Sequence, residues 1–480
     1  MANILEKGIE TLKTAVQSEL NPYLTGNYAP VHDELVVNDL KVIGEIPKDL
    51  TGIYMRNGPN PLFVPFPYIF PFDGDGMIHA VYIADGKANY RNRFVETKDL
   101  AKERQAGKGL FGSTTHATKL DPKWAEPGEE NLRRVKNAAK ICIIRHAGQY
   151  LATDENAPSY EMTKDLQTIG PWDPYRSGRP IHVSPHTRLD PLTGDLWFVN
   201  WELTPPYLTV YRVDSKGQVA NKWDVDKRYP TMIHDFVLTK NYVIVFDCPA
   251  VFDSEKRLRG KFGIEWRPEL GLQIGVMPRT GGPMKWYRTD PFFVFHFANA
   301  YETRDTIVVD YVHYPTAVGL GGEAGAEDLQ STLYRTTLNP TTGRIENIKV
   351  DDRILEFPRI KEDRDTLQHR FVYSPSRTPM LSSKAYHVLL KYDMERHVTD
   401  VHEFGHDAQI DEAGFAPSKK SSSEDDGYLM LFVYNNATNQ SEFVILNARN
   451  MGDQPLARVQ LPQRVPHGLH GMWMSGPWQD

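Results

Sequence analysis

Sixteen histidines are spread along the chain, and two sets of them have the spacing or the setting that metal chemistry asks for. The first is His402-Glu403-Phe404-Gly405-His406, which satisfies the H-E-x-x-H pattern, where two imidazoles one helical turn apart hold zinc and the glutamate activates water. That geometry needs a helix. The lead-in, His397-Val398-Thr399-Asp400-Val401, is β-branched and alternating, and Gly405 interrupts the motif. No third ligand follows at the spacing of the related peptidases. His182 and His186 share the i, i+4 spacing, but Pro185 stands between them and spoils a helix.

The second set is defined by setting. His186 precedes Thr187-Arg188-Leu189-Asp190-Pro191; His234 lies in Thr231-Met232-Ile233-His234-Asp235-Phe236; His296 in Phe293-Val294-Phe295-His296-Phe297; His470 in Pro466-His467-Gly468-Leu469-His470-Gly471. Each stands in or beside an apolar, β-like run. By residue type alone the plainer reading is four core histidines; brought together, four imidazoles make a metal site.

What must position them is a chain of many short strands. The runs GKANYRNRFVE, DLWFVNWEL, LTVYRVD, YVIVFD, TIVVDYVHY, YHVLLKYD, YLMLFVYN and EFVILNARN alternate with turn residues such as Ala84-Asp85-Gly86, Leu192-Thr193-Gly194, Ser215-Lys216-Gly217 and Thr341-Thr342-Gly343, the chemistry of tight hairpins. The chain is therefore all-β. No exact repeat shows, so spacing alone does not separate a propeller from a sandwich. Ahead of the strands, Leu5, Ile9, Leu12, Val16 and Leu20 form the stripe of an amphipathic helix that ends at Asn21-Pro22, and it can pack on the body or lie in a membrane interface. The expected division is a lead-in over 1–39 and a single catalytic unit over 40–480. Leu62 to Phe72 is an uncharged loop of aromatics and prolines, a docking patch if exposed and a clasp if buried.

Bulk properties exclude several functions. Lys and Arg number 55 against 62 Asp and Glu, a formal charge of -7, so the chain has no basic footprint for nucleic acid. Cys142 and Cys248 are its only cysteines, too few for a disulfide framework. The sequence has no apolar run of about 18 residues and no signal-peptide core. A cytoplasmic protein, at most peripheral to a membrane and with no obligate protein partner, is the expectation.

Several further segments resemble the carotenoid cleavage oxygenase family: Asn27-Tyr28-Ala29-Pro30-Val31, Gly52-Ile53-Tyr54-Met55-Arg56-Asn57-Gly58-Pro59-Asn60-Pro61, Phe72-Asp73-Gly74-Asp75-Gly76-Met77-Ile78-His79, and Arg93-Phe94-Val95-Glu96-Thr97 followed by Glu103-Arg104-Gln105. The resemblance runs from about Asn21 to the C-terminus. It implies a seven-bladed β-propeller with a cap of helices and loops over the site, and one Fe(2+) per chain held by His186, His234, His296 and His470. Glu155, Glu356 and Glu424 are implied behind His234, His296 and His470 respectively. Four neutral imidazoles leave the metal its full charge, so remote carboxylates have to supply the balance and fix each ring's tautomer.

The implied reaction is cleavage of a conjugated carbon–carbon double bond by dioxygen to two carbonyl products, on a carotenoid or apocarotenoid. An apolar tunnel is needed for such a lipophilic polyene, and Phe295 and Phe357 are its expected aromatic lining. Ile141 falls where many relatives have Thr near the open metal position. Asp154 falls where stilbene-cleaving members carry Lys, which disfavours a stilbene or phenylpropenoid substrate. The competing readings are a stilbene cleaver of the same family, a zinc peptidase through His402, Glu403 and His406, and a non-catalytic propeller scaffold.

Overall fold

At the turn marked in the sequence, Asp85 and Gly86 both take positive φ, 51° and 74°, as a two-residue turn between twisted strands requires. They join Met77–Ala84 to Lys87–Phe94 in continuous antiparallel register. Lys87–Phe94 alternates between buried and more open positions, the period of two of a strand with one covered face. Gly427–Asn435 is buried along most of its length, as a strand packed on both faces is. The computed structural model describes residues 21–478 apart from 66, 69–70, 115, 128–132, 254, 257–258, 260–262, 318–329 and 378–384.

These hairpins assemble into seven antiparallel sheets of four to six strands, with three two-stranded ribbons beside them. The sheets are the blades of a propeller. Its ring is closed twice: the last strand, Gly471–Ser475, pairs with Gly52–Arg56 in the first blade, and the early strand Val42–Gly44 pairs with Ala457–Gln460 in the last. Closure of this kind leaves no unpaired sheet edge at the seam. Apolar packing continues from blade to blade, and Trp197, Val245, Ala300 and Leu390 belong to one buried cluster. At the seam, Tyr54 packs on Phe432 and Phe443.

The α-helix described over its whole length is Lys98–Ala106. The Thr97 hydroxyl caps it by accepting the N–H of Leu100 at 3.1 Å. Loops, the two-stranded ribbons and this helix stand outside the blades among the described residues. The amphipathic stripe from Leu5 to Leu20 lies outside the described residues, as do Phe66, Ile69 and Phe70. The described part of that aromatic loop turns inward: Tyr68 is buried and Phe72 packs beside Phe357 and Leu469. No described helix is long and apolar enough to cross a membrane.

Candidate metal centre

His186, His234 and His296 each stand just ahead of a strand on the propeller axis, Arg188–Leu189, Val237–Leu238 and Phe297–Thr303, and His470 stands just ahead of Gly471–Ser475. Four blades thereby deliver four imidazoles to one place. The ring of His186 lies 4.8, 4.8 and 4.4 Å from those of His234, His296 and His470, centroid to centroid. The Nε2 atoms of His186 and His234 are 3.2 Å apart. Nε2 of His296 is buried with no hydrogen-bond partner, an arrangement that costs about 1–3 kcal/mol unless something else meets the lone pair. Ring nitrogens of His186, His234 and His296 fall within 4.8 Å of one another, and imidazole nitrogens at that spacing fit a divalent transition metal.

The opposite ring nitrogens point outward to carboxylates. Nδ1 of His234 bonds Glu155, and Nδ1 of His296 donates to Glu356 Oε2 at 2.6 Å. Nδ1 of His470 donates to Glu412 Oε1 at 3.0 Å. A proton held on Nδ1 leaves Nε2 as the inward lone pair, the form a metal takes up. Each carboxylate is itself held, by Trp201 Nε1–H on Glu155 at 2.8 Å, the Tyr314 hydroxyl on Glu356 at 2.5 Å, and the Gly471 N–H on Glu412 at 2.9 Å.

The third carboxylate corrects the sequence expectation: Glu412, and not Glu424, stands behind His470. Glu424 accepts the backbone N–H groups of Arg370 and Phe371, both at 2.9 Å, and so caps the start of Phe371–Arg377. Their local settings differ, although neither setting names a partner. Glu412 lies between Ile410 and Ala413-Gly414-Phe415, all turned into the core, whereas Glu424 ends a run of three serines.

Burial pushes the His186 ring well below its ordinary pKa, and its three neighbouring imidazoles push it further. Burial also lowers His470, against the pull of Glu412. For His296 burial acts in the same direction, but the Glu356 carboxylate outweighs it and the pKa rises. Burial would raise Glu356 and Glu412, yet His296 and Tyr314 hold the first below the usual carboxylate range, and Arg359 and His470 hold the second there. Cys142, unremarked in the sequence beyond its disulfide capacity, has its sulfur within 4.8 Å of ring nitrogens of His186 and His470. Burial raises its pKa well above the ordinary value.

The signature Arg56-Asn57-Gly58 acquires a physical role here. Arg56 is paired with Asp411, the neighbour of Glu412, and donates to the carbonyl of Pro466 at 2.6 Å. Asn57 exchanges backbone hydrogen bonds with Leu469 and His470. Gly468 is pressed against the guanidinium, and a Cβ there would lie 2.2 Å from Arg56 Nε. Gly468→Ala is therefore expected to cost about 1–3 kcal/mol of stability and to lower metal occupancy, checked by thermal unfolding and metal analysis on the same preparation.

Of the expected substrate contacts, Phe357 stacks on His296 at 5.3 Å and meets His470 at 5.2 Å. Its φ of 53° is uncommon for a bulky side chain and marks a position that its surroundings enforce. Phe295 stands edge-on to His234 at 5.5 Å. Ile141 packs with Phe357 and Leu469. Asp154 is buried and accepts the N–H groups of Ala138, Ala139 and Glu155 at 2.8, 3.0 and 2.8 Å and the Lys140 ammonium at 2.7 Å; it clasps a turn. A cavity of about 370 Å³ reaches His186, His296 and His470, and Arg188, Asp235, Arg359 and Glu362 line it with charge.

His402 and Glu403 end a strand, Val398–Glu403, and His402 donates to the Met451 carbonyl at 2.6 Å. Its partner histidine cannot share a helical face with it. Glu403 is exposed, and Glu403→Ala is expected to change stability by no more than about 0.5 kcal/mol and to leave metal binding unaltered, which thermal unfolding and metal analysis check.

Comparison with known proteins agrees with this geometry. Residues 28–475 match the family described as Retinal pigment epithelial membrane protein. The chain is 32% identical to a carotenoid 9,10(9',10')-cleavage dioxygenase of Phaseolus vulgaris over 491 residues, covering 94% of this chain and 89% of that protein. Lignostilbene dioxygenase of Pseudomonas brassicacearum superposes with a TM-score of 0.88 at 26% identity, covering 95% of this chain and 99% of that one. A variant of the Synechocystis apocarotenoid oxygenase gives 0.83 at 27%, covering 94% and 98%. With a match of this length, and a relative this similar across nearly its whole extent, the chain belongs to the carotenoid cleavage oxygenase family.

Proposed function

We propose that this chain is an iron(II)-dependent dioxygenase that cleaves a conjugated double bond of a carotenoid or apocarotenoid to two carbonyl products. The observation that carries the proposal is the convergence of four inward Nε2 atoms with carboxylates behind three of the rings. His186, His234, His296 and His470 would hold the metal, and Glu155, Glu356 and Glu412 would fix three of the ligands and balance its charge. Iron(II) bound there supplies the activation of dioxygen that an unreactive double bond needs. The protein's own part is to hold a rigid polyene with one bond beside the metal. Phe357, stacked on His296, and Phe295, edge-on to His234, present aromatic surface where such a chain would lie.

The polyene reading is favoured over a stilbene one by Asp154. Its oxygens are occupied by three backbone N–H groups and Lys140, which leaves it no role in receiving a phenol. A polyene has to leave a bilayer, and we assign shallow docking to the amphipathic stripe from Leu5 to Leu20; flotation with liposomes, with and without the first 20 residues, checks that assignment.

The test is to incubate iron(II)-loaded protein in detergent micelles with a carotenoid, an apocarotenoid and a hydroxystilbene, in air and without oxygen, and to identify products by mass spectrometry. Oxygen-dependent aldehydes from a polyene are expected, and their masses identify the scissile bond. Cleavage of the hydroxystilbene alone would overturn the substrate class, and no product from iron-loaded protein would overturn the reaction.

A further inference from the structure

The carboxylates orient individual rings, but they do not set the distance between the segments on which the rings stand. His186, His234 and His296 belong to three successive blades, and none of the three lies within a strand. Ladder hydrogen bonds therefore do not fix their mutual spacing. Three chain segments that end at a common point need a tie running across blades.

Arg188 and Asp235 make that tie. Asp235 directly follows His234, and Arg188 stands two residues after His186. Arg188 Nη2 donates to the two carboxylate oxygens of Asp235 at 2.8 and 2.7 Å, and Nε donates to the Phe236 carbonyl at 2.7 Å. Asp235 also accepts the N–H of Phe236 at 2.7 Å and, across the next blade boundary, the N–H of Phe297 at 3.0 Å. Phe297 directly follows His296. One ion pair thus joins residues adjacent to two of the imidazoles and two places from the third. A second carboxylate, Asp365, lies 3.9 Å from Arg188 Nη1.

Asp235 has 2% of its side chain exposed and Arg188 13%. An ion pair so placed adds little net stability, because desolvation offsets its attraction. What a guanidinium that meets a carboxylate through Nη2 and a backbone carbonyl through Nε does supply is fixed geometry. We propose that Asp235 and Arg188 are positioning residues for the metal: they set the spacing of His186, His234 and His296 through the backbone without touching the metal. The proposal rests on the four-histidine reading of the site.

Asp235→Asn keeps the shape but places an amide NH2 among donors, and Arg188→Lys keeps the charge but removes the fork. Either variant is expected to weaken binding of cobalt(II), used as a spectroscopically visible probe, by about 10- to 100-fold, and to change the ligand-field absorption of the bound ion. Asp310→Asn is the control. Asp310 is equally buried, accepts Arg335 at 2.7 and 2.8 Å and lies 3.2 Å from His369, but it is tied to no histidine of the cluster, so the variant should lose thermal stability and keep cobalt affinity and spectrum. Folded Asp235→Asn protein with wild-type affinity and spectrum would overturn the proposal, as would an equal loss in Asp310→Asn. If Asp235→Asn does not fold, Arg188→Lys decides on the same readouts. Wild-type protein that binds no cobalt, with His296→Ala indistinguishable from it, would mean that the four-histidine reading itself had failed.

Discussion

His296→Ala is expected to abolish metal binding and oxygenase turnover while leaving a folded propeller. The His296 ring is buried, its Nδ1 is engaged by Glu356 and its Nε2 has no partner, so the inward nitrogen has no structural task that its loss would expose. The substitution leaves Glu356 with Tyr314 and the Phe357 N–H and removes one charge-assisted bond, a cost of about 1.5–3 kcal/mol. That is a lowered melting temperature and not unfolding. The loss of activity should exceed the roughly 100-fold that removing a hydrogen-bond partner behind a ligand causes. Metal analysis, product formation and circular dichroism on one preparation check it. Stoichiometric iron and near-normal turnover in the variant would remove His296 from the ligand set.

The second large effect separates two glutamates. Glu412→Gln is expected to lower metal affinity and turnover by about 10- to 100-fold, and Glu424→Gln to leave both unchanged. Glu412 serves two donors at once, the His470 ring at 3.0 Å and the Gly471 N–H at 2.9 Å. An amide in its place must turn its own NH2 toward one of them. If the NH2 faces His470, the ring loses the acceptor that keeps the proton on Nδ1, and Nε2 is no longer held as a lone pair. Glu424 accepts the backbone N–H groups of Arg370 and Phe371 and lies 3.7 Å from Arg364 Nε, with no histidine among its partners, so the carbonyl of a glutamine still accepts there and the change is confined to about 1 kcal/mol of stability. Iron titration and steady-state turnover of both variants check the contrast. Equal losses in the two would mean that Glu412 has no special relation to the metal.

This contrast also marks the limit of what was legible in the chain. The strands were legible because turn chemistry and alternation are local: Asp85-Gly86 and the runs that became Leu196–Trp201, Tyr242–Asp247 and Gly427–Asn435 need only their own residues to be identified. The four histidines stood out only through the family resemblance, since a histidine in an apolar run has the same local pattern whether it packs or ligates.

The sequence by itself determined that the chain is all-β, that the H-E-x-x-H match lacks the helical setting zinc binding needs, and which family's signatures it carries. Only the tertiary structure decided which carboxylate serves His470. Glu412 and His470 are separated by 58 positions and meet because the last strand returns to pair with Gly52–Arg56, a closure that no local pattern encodes. The same holds for Asp235, whose hydrogen bond to Phe297 spans 62 positions. Hydrogen-bond partners of buried charged groups are set by where blades meet, and blade contacts are a property of the closed ring and not of any one segment.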